Sequence, residues 1–161
     1  VRCSAVENSH VGSKTVVGPF AYIRPGSHLG QRVKIGDFVE IKNSNIGEGT
    51  KVPHLSYVGD TDIGEGVNIG AGVIVANFDG RRKHRCLIES GAFVGCNSNL
   101  ISPLTIGEGA FVAAGSTIDK DVPAGALALA RANQNNYPGR ASKMIARKEP
   151  EGKNNCRHEN T

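Results

Sequence analysis

Val17-Gly-Pro-Phe-Ala-Tyr-Ile23-Arg-Pro-Gly-Ser-His-Leu29-Gly-Gln-Arg-Val-Lys-Ile35-Gly-Asp-Phe-Val-Glu-Ile41 carries an aliphatic residue at every sixth position. A period of six suits neither a helix, whose faces repeat every 3.6 residues, nor an alternating strand. It suits a hexapeptide β-helix, in which one hexad forms one flat side of a triangular prism and three hexads close a coil. The aliphatic residue points inward. The glycine that often follows it is expected to permit the bend at the corner.

The period runs outward from this stretch in both directions. Val11 precedes it, and Ile46, Val52, Val58, Ile63, Ile69 and Val75 follow, with five-residue steps from Ile41 to Ile46 and from Val58 to Ile63. After a gap it resumes at Ile88, Val94, Leu100, Ile106, Val112 and Ile118, and there it stops. Small or β-branched residues such as Thr15, Ala21, Ser27, Val33, Ser56 and Val73 sit four places after the aliphatic ones. About six coils are expected, stacked at roughly 4.8 Å each. The gap holds Asn77-Phe-Asp-Gly-Arg-Arg-Lys-His-Arg85, where Asp79-Gly80 signals a turn, and reads as an extruded basic loop within 76–87. The prism domain is thus expected over 1–131. An irregular basic tail follows over 132–161, with at most a short helix near 141–148.

Composition agrees with a thin prism rather than a globule. Aromatic residues make up 5% of the 161 residues, Trp is absent and glycine numbers 21, so the core must be aliphatic and the turns frequent. No apolar run reaches 18 residues and no signal peptide is visible, which points away from membrane insertion. The net charge of +4 resides in residues 131–161, a bias that suggests a local anion site rather than a nucleic-acid surface. The four cysteines, Cys3, Cys86, Cys96 and Cys156, show neither a C-x-x-C pair nor metal spacing and read as free thiols of a reducing, cytoplasmic setting. The chain begins with Val1 inside the repeat and reads as the C-terminal piece of something longer.

Stacking converts this register into neighbours, because hexads three apart share a side. Arg24 and Lys42 are both second in their hexads. Glu40 and Tyr57 both end theirs at the same corner, and His54 and Ala71 are both third. Asn68 ends a hexad at the corner next to Ala71. Two stacked cations beside a carboxylate, an imidazole and a phenol point to a site for an anionic sugar. A solvated ladder of ion pairs is the alternative for the charges. The five histidines, His10, His28, His54, His84 and His158, include no pair spaced to share a zinc ion, against a hexapeptide carbonic anhydrase.

Several stretches resemble one family in order and spacing. They are Gly18-Pro-Phe-Ala-Tyr-Ile-Arg-Pro-Gly26, Phe38-Val-Glu-Ile-Lys42, His54-Leu-Ser-Tyr-Val-Gly-Asp60, Val67-Asn-Ile-Gly-Ala-Gly72, Asn77-Phe-Asp-Gly80, Ala113-Ala-Gly-Ser-Thr117 and Ala126-Leu-Ala-Leu-Ala-Arg131. Together they look like the C-terminal domain of the bifunctional N-acetylglucosamine-1-phosphate uridyltransferase/glucosamine-1-phosphate N-acetyltransferase, over about residues 5–134. The N-terminal uridyltransferase half is expected to be absent from this chain.

The resemblance implies a left-handed parallel β-helix that assembles as a homotrimer with sites between subunits. It implies acetyl transfer from acetyl-CoA to the amine of glucosamine-1-phosphate. That is a step toward UDP-N-acetylglucosamine for peptidoglycan and lipopolysaccharide. In the site so implied, His54 is the catalytic base, Arg24 and Lys42 hold the sugar phosphate, and Tyr57 and Asn68 meet the sugar. Ala71, Asn77, Phe78, Cys96, Ala114 and Arg131 line the acetyl-CoA site, and Lys83 reaches an anionic group in a neighbouring subunit's site. Glu40 is the residue expected to orient His54. No metal is needed. The family usually has Ser at the place of Cys96 and Tyr at that of Phe78, so each hydroxyl contact is lost or weakened here. A non-catalytic trimerisation scaffold with a decayed site is the alternative.

Overall fold

A computed structural model describes residues 1–145 of the chain. Short parallel strands wind into a β-solenoid of about seven turns, with sheets of seven, six and seven strands as its three sides. The first face holds Tyr22–Ile23, Glu40–Lys42, Tyr57–Gly59, Ile74–Ala76 and Asn99–Ile101 among its strands. The second holds His10–Val11, His28–Leu29, Asn45–Ile46, Thr61–Ile63, Cys86–Ile88 and Leu104–Ile106. The third includes Lys34–Asp37, Lys51–His54, Asn68–Ile69, Phe93–Val94 and Phe111–Val112.

The core is the column of aliphatic residues that open each hexad. Ile23, Leu29, Ile35, Ile41, Ile69, Ile88, Leu100 and Ile106 are fully buried. Each such side chain contributes about 1.5–3 kcal/mol relative to leaving it in water. Ser and Thr at the fifth position close the corners. Ser27 donates to the Arg24 carbonyl, Thr50 to the Gly64 carbonyl and Ser98 to the Gly95 carbonyl, at 2.7, 2.7 and 2.8 Å. A buried hydroxyl at these positions therefore keeps its hydrogen bond.

The bend itself lies elsewhere than expected. It is the fourth residue of the hexad that enters the left-handed region: Phe20 at φ 58°, Phe38 at 54°, Leu55 at 49° and Gly72 at 72°. The second-position glycines answer a different demand. A Cβ at Gly36 would fall on the Pro53 carbonyl of the next coil, and one at Gly47 on the backbone of Gly64. Close stacking of coils, not the corner, selects glycine there.

The prism is also longer than the aliphatic period suggests. Ala5–Val6 adds a strand below Tyr22–Ile23, and Leu127–Ala128 adds one above Phe111–Val112. Val122 bridges to Ile106 as part of the last coil. Alanine replaces a larger inward residue at Ala128, so the period fades from the sequence before the coil ends. A hollow of about 230 Å³, lined by Ile118, Val122, Leu127 and Leu129 among others, marks this end.

The gap residues form a small hairpin. Phe78 and Lys83 pair antiparallel, and the Asp79 carboxylate accepts from the Arg81 and Arg82 amides, each at 2.8 Å, and meets His84 Nε2 at 2.7 Å. The chain divides after Arg131, and the second unit contains the helix Arg140–Ile145. Residues 146–148 of the expected helix, Cys156 and His158 lie outside the described residues.

Candidate active site

One corner of the prism carries a column of third-position residues. Asp37, His54, Ala71, Cys96 and Ala114 follow one another up successive coils, linked by Leu55 N–H to Asp37 O, Gly72 N–H to His54 O, Asn97 N–H to Ala71 O and Gly115 N–H to Cys96 O. Above His54 the side chains are small, and His54, Cys96 and Ala114 are exposed. The stem of Arg131 lies over Gly115 at the top of the column. The arrangement is a shallow groove along the prism axis with an imidazole at its foot. It suits an extended ligand about three coils, or ~15 Å, in length.

His54 is held from both sides. Ser56 donates to its backbone carbonyl at 2.7 Å, and Leu55 follows in the left-handed conformation. Its Nδ1 lies 2.6 Å from Asp37 Oδ1, and the two residues are register partners in adjacent strands. This hydrogen bond, together with Asp37's own backbone N–H, holds the Asp37 carboxyl below its ordinary value. The expectation for Glu40 is corrected here. Its Oε1 accepts from Arg24 Nη1 at 2.8 Å, and Asp37, not Glu40, contacts the imidazole. Glu40 lies on the strand of the first face, past the corner at Phe38, so it faces Arg24 across one coil spacing.

The first face bears the cations. Arg24 stacks over the Tyr22 ring at 5.8 Å and pairs with Glu40. Lys42 lies 3.7 Å from Asp60 Oδ2, with only 22% of its side chain exposed. The neighbouring Lys83 ammonium, and burial after it, hold Lys42 below its ordinary value. Lys83 of the extruded hairpin thus lies against the chain's own Lys42. Tyr57 pairs in register with Glu40, and its hydroxyl occupies the space that a side chain at Gly59 would need.

Asp60, 5% exposed, joins these groups and escaped the sequence reading. It accepts from Asn43 at 2.6 Å and from Asn77 at 2.6 Å. Burial raises its carboxyl, but Asn43, Lys42 and Asn77 more than offset this and leave it below the ordinary value. Asn43, Asp60 and Asn77 are all third residues of hexads starting at 41, 58 and 75, so the stacking rule would have found them.

The structure brings Arg24, Glu40, Lys42, Tyr57, Asn77 and Lys83 to one region of the first face and its edge. It brings His54, Ala71, Cys96, Ala114 and Arg131 to one corner. Asn68 lies apart, on the third face between Lys51 and Phe93, and Phe78 projects from the hairpin with 58% exposure. Among the described residues, no group of three His, Cys, Asp or Glu is placed to hold a metal ion, and no helix is long and apolar enough to cross a membrane.

The hexapeptide-repeat solenoid is that of the hexapeptide transferases, and residues 8–43 match the family described as bacterial transferase hexapeptide (six repeats). The chain belongs, as a segment, to the family of the bifunctional protein GlmU. It is 60% identical over 141 residues to that protein of Brevibacillus brevis and 58% identical over 136 residues to that of Caldicellulosiruptor saccharolyticus. These matches cover 88% and 84% of this chain but 31% and 29% of the relatives, so the chain spans about a third of their length. Among solved structures, a mutant of perosamine N-acetyltransferase from Caulobacter crescentus, in complex with CoA and GDP-perosamine, is 26% identical with a TM-score of 0.61 over 74% of this chain and 53% of that one. A mutant of AntD, an N-acyltransferase from Bacillus cereus, shares the fold at 21% identity and a TM-score of 0.63, over 76% of this chain and 75% of that one.

Proposed function

We propose that this chain transfers acetyl from acetyl-CoA to the amine of glucosamine-1-phosphate. The observation that carries the reading is the juxtaposition of two built features on one prism: the His54 groove and the Arg24–Lys42–Lys83 cation cluster. The cluster suits a sugar phosphate, with Arg24 a bidentate donor and Lys42 a point charge. The small-residue groove suits the extended arm of CoA, with Ala71, Cys96, Ala114 and Arg131 along it and Asn77 and Phe78 at the hairpin. Kinship with GlmU selects the amino sugar phosphate, and the CoA complex of perosamine N-acetyltransferase supports the cosubstrate.

In this reading the phosphate is anchored away from the reacting amine, which orients it. The amine is mostly protonated near neutral pH, so a neutral amine forms first by release of a proton to solvent. Its nitrogen then attacks the thioester carbon while His54 Nε2 accepts a proton from that nitrogen. The carbon–sulfur bond breaks, and the departing thiolate takes the proton from His54. The products are the acetamide and free CoA thiol, and no step calls for a metal.

Tyr57 lies on the first face and Asn68 on the third. One sugar meets both if a second copy brings its third face against the first face of another. We therefore propose a homotrimer with sites between subunits, in which Lys83 also serves a neighbour's site. Dependence on acetyl-CoA and on a sugar phosphate fits the cytoplasm.

A thiol-release assay tests the reading. Glucosamine-1-phosphate is expected to support release of CoA thiol, and glucosamine without phosphate to do so far less efficiently. No release with any amino sugar phosphate would instead indicate a scaffold with a decayed site.

A further inference from the structure

We propose that Asp37 is the positioning residue of the transfer, fixing which nitrogen of His54 is free to accept the proton. The inference rests on His54 being the base.

An ionised carboxylate only accepts hydrogen bonds. With Asp37 Oδ1 2.6 Å from His54 Nδ1, the proton of the neutral imidazole must therefore lie on Nδ1. Nε2 is then left with a lone pair and no partner among the described residues. When Nε2 takes the substrate's proton, the same carboxylate faces the positive ring and stabilises it. The contact is built into the backbone: Asp37 and His54 are register partners, and Leu55 N–H donates to the Asp37 carbonyl at 3.0 Å. The His54 hydrogen bond also lowers the Asp37 carboxyl, which keeps the anchor charged wherever His54 is neutral enough to act.

Among the described residues, nothing else near the ring offers this service. Glu40 is occupied by Arg24. Ala71, one coil above, has no polar atom in its side chain. Lys34 and Lys51 lie three residues back along the same two strands and are cations, unable to accept from Nδ1.

The test compares Asp37→Asn, His54→Ala and the double variant in the full chain, reading thiol release against pH. Asp37→Asn is expected to lower kcat by about 10- to 100-fold. The loss is smaller than the roughly 10⁴ of a buried triad, because this pair faces water. KM for both substrates should change by no more than about 2-fold, as a loss confined to the reacting step requires. The acid limb of kcat/KM should move to lower pH, since the imidazolium loses its counter-charge. In the His54→Ala background, Asp37→Asn should cost nothing further.

Parental turnover in Asp37→Asn with an inactive His54→Ala would overturn the positioning role and leave the base intact. Parental turnover in His54→Ala would remove the base itself. Nitrogen-15 NMR of the parent's His54 ring gives a readout independent of activity. The proton should reside on Nδ1 in the neutral ring, and the reverse tautomer would overturn the proposal.

Discussion

The side-chain amide of Asn77 donates to Asp60 Oδ2 across one coil at 2.6 Å, and the same oxygen lies 3.7 Å from the Lys42 ammonium. One buried carboxylate thus ties the first residue of the extruded hairpin to a cation of the first face. In the proposed reading Asn77 meets acetyl-CoA and Lys42 meets the phosphate, so a change at Asp60 reaches both ligands.

Asp60→Ala should therefore be costly in two ways. Removing the carboxylate leaves the Asn43 and Asn77 amides and the Lys42 ammonium without their acceptor, at about 2–4 kcal/mol of stability. Denaturant unfolding would measure this. Binding of both acetyl-CoA and the sugar phosphate should weaken together. Loss of one affinity alone, at parental stability, would contradict the joint.

The returning foot of the hairpin is pinned by a different carboxylate. Arg85 grips Asp62 through Nε and Nη2 at 2.9 and 2.5 Å, and Asn45 donates to the same group. Arg85, against the effect of burial and with help from Asn45, holds the Asp62 carboxyl below its ordinary value. A depressed folded-state value means stability that is present above the unfolded value of 3.8 and is lost as pH falls through the folded value. Asp62→Asn should thus be less stable than the parent at pH 7. The difference should close below about pH 4 as the parent's carboxylate is protonated. Melting curves of both chains from pH 7 to pH 2 would show it, and a gap of constant size would argue against the ion pair as its source.

How far the sequence reached is clear from this same region. A period of six, held for three runs of six hexads, specified the faces and most of the core. The stacking rule placed Arg24 one coil from Lys42, and Tyr57 at the same corner as Glu40. It failed where it was not applied. Asp37 shares the third place with His54, and Asn43 and Asp60 share it with Asn77, so carrying the rule one coil further along each corner finds all three. The end coils were missed for another reason. Ala128 and Val122 point inward there, and a short side chain or an irregular step leaves no aliphatic beat to count. The glycine role was misjudged because a sequence shows a small residue but not which neighbouring coil presses on it.

The cysteines differ by environment in a way labelling can read. Burial pushes the Cys86 thiol up to about 12, whereas Cys3 and Cys96 are exposed. Alkylation depends on the thiolate and on access. At pH 8 iodoacetamide should therefore modify Cys3 and Cys96 in the folded chain and spare Cys86. Acetyl-CoA should protect Cys96, which lines the groove, and leave Cys3 reactive. Peptide mass spectrometry would resolve the three, and labelling of Cys96 unchanged by saturating acetyl-CoA would place the cofactor elsewhere.

His54→Ala separates the catalytic from the structural account of this corner. The imidazole is 55% exposed and the core column runs through Val52, so the substitution removes little packing. The melting temperature and acetyl-CoA affinity should stay near the parent's. A general base is worth about 10²–10⁴ in rate, and turnover at pH 7 should fall by that factor. The loss should also shrink as pH rises, because hydroxide supplants the missing acceptor of the proton that leaves the attacking nitrogen. A histidine that merely held the corner predicts the reverse: a lower melting temperature, and residual turnover that follows the folded fraction at every pH. Recording the melt and the pH–rate profile on one preparation distinguishes the two, and a folded variant with parental turnover at pH 7 would take His54 out of the reaction.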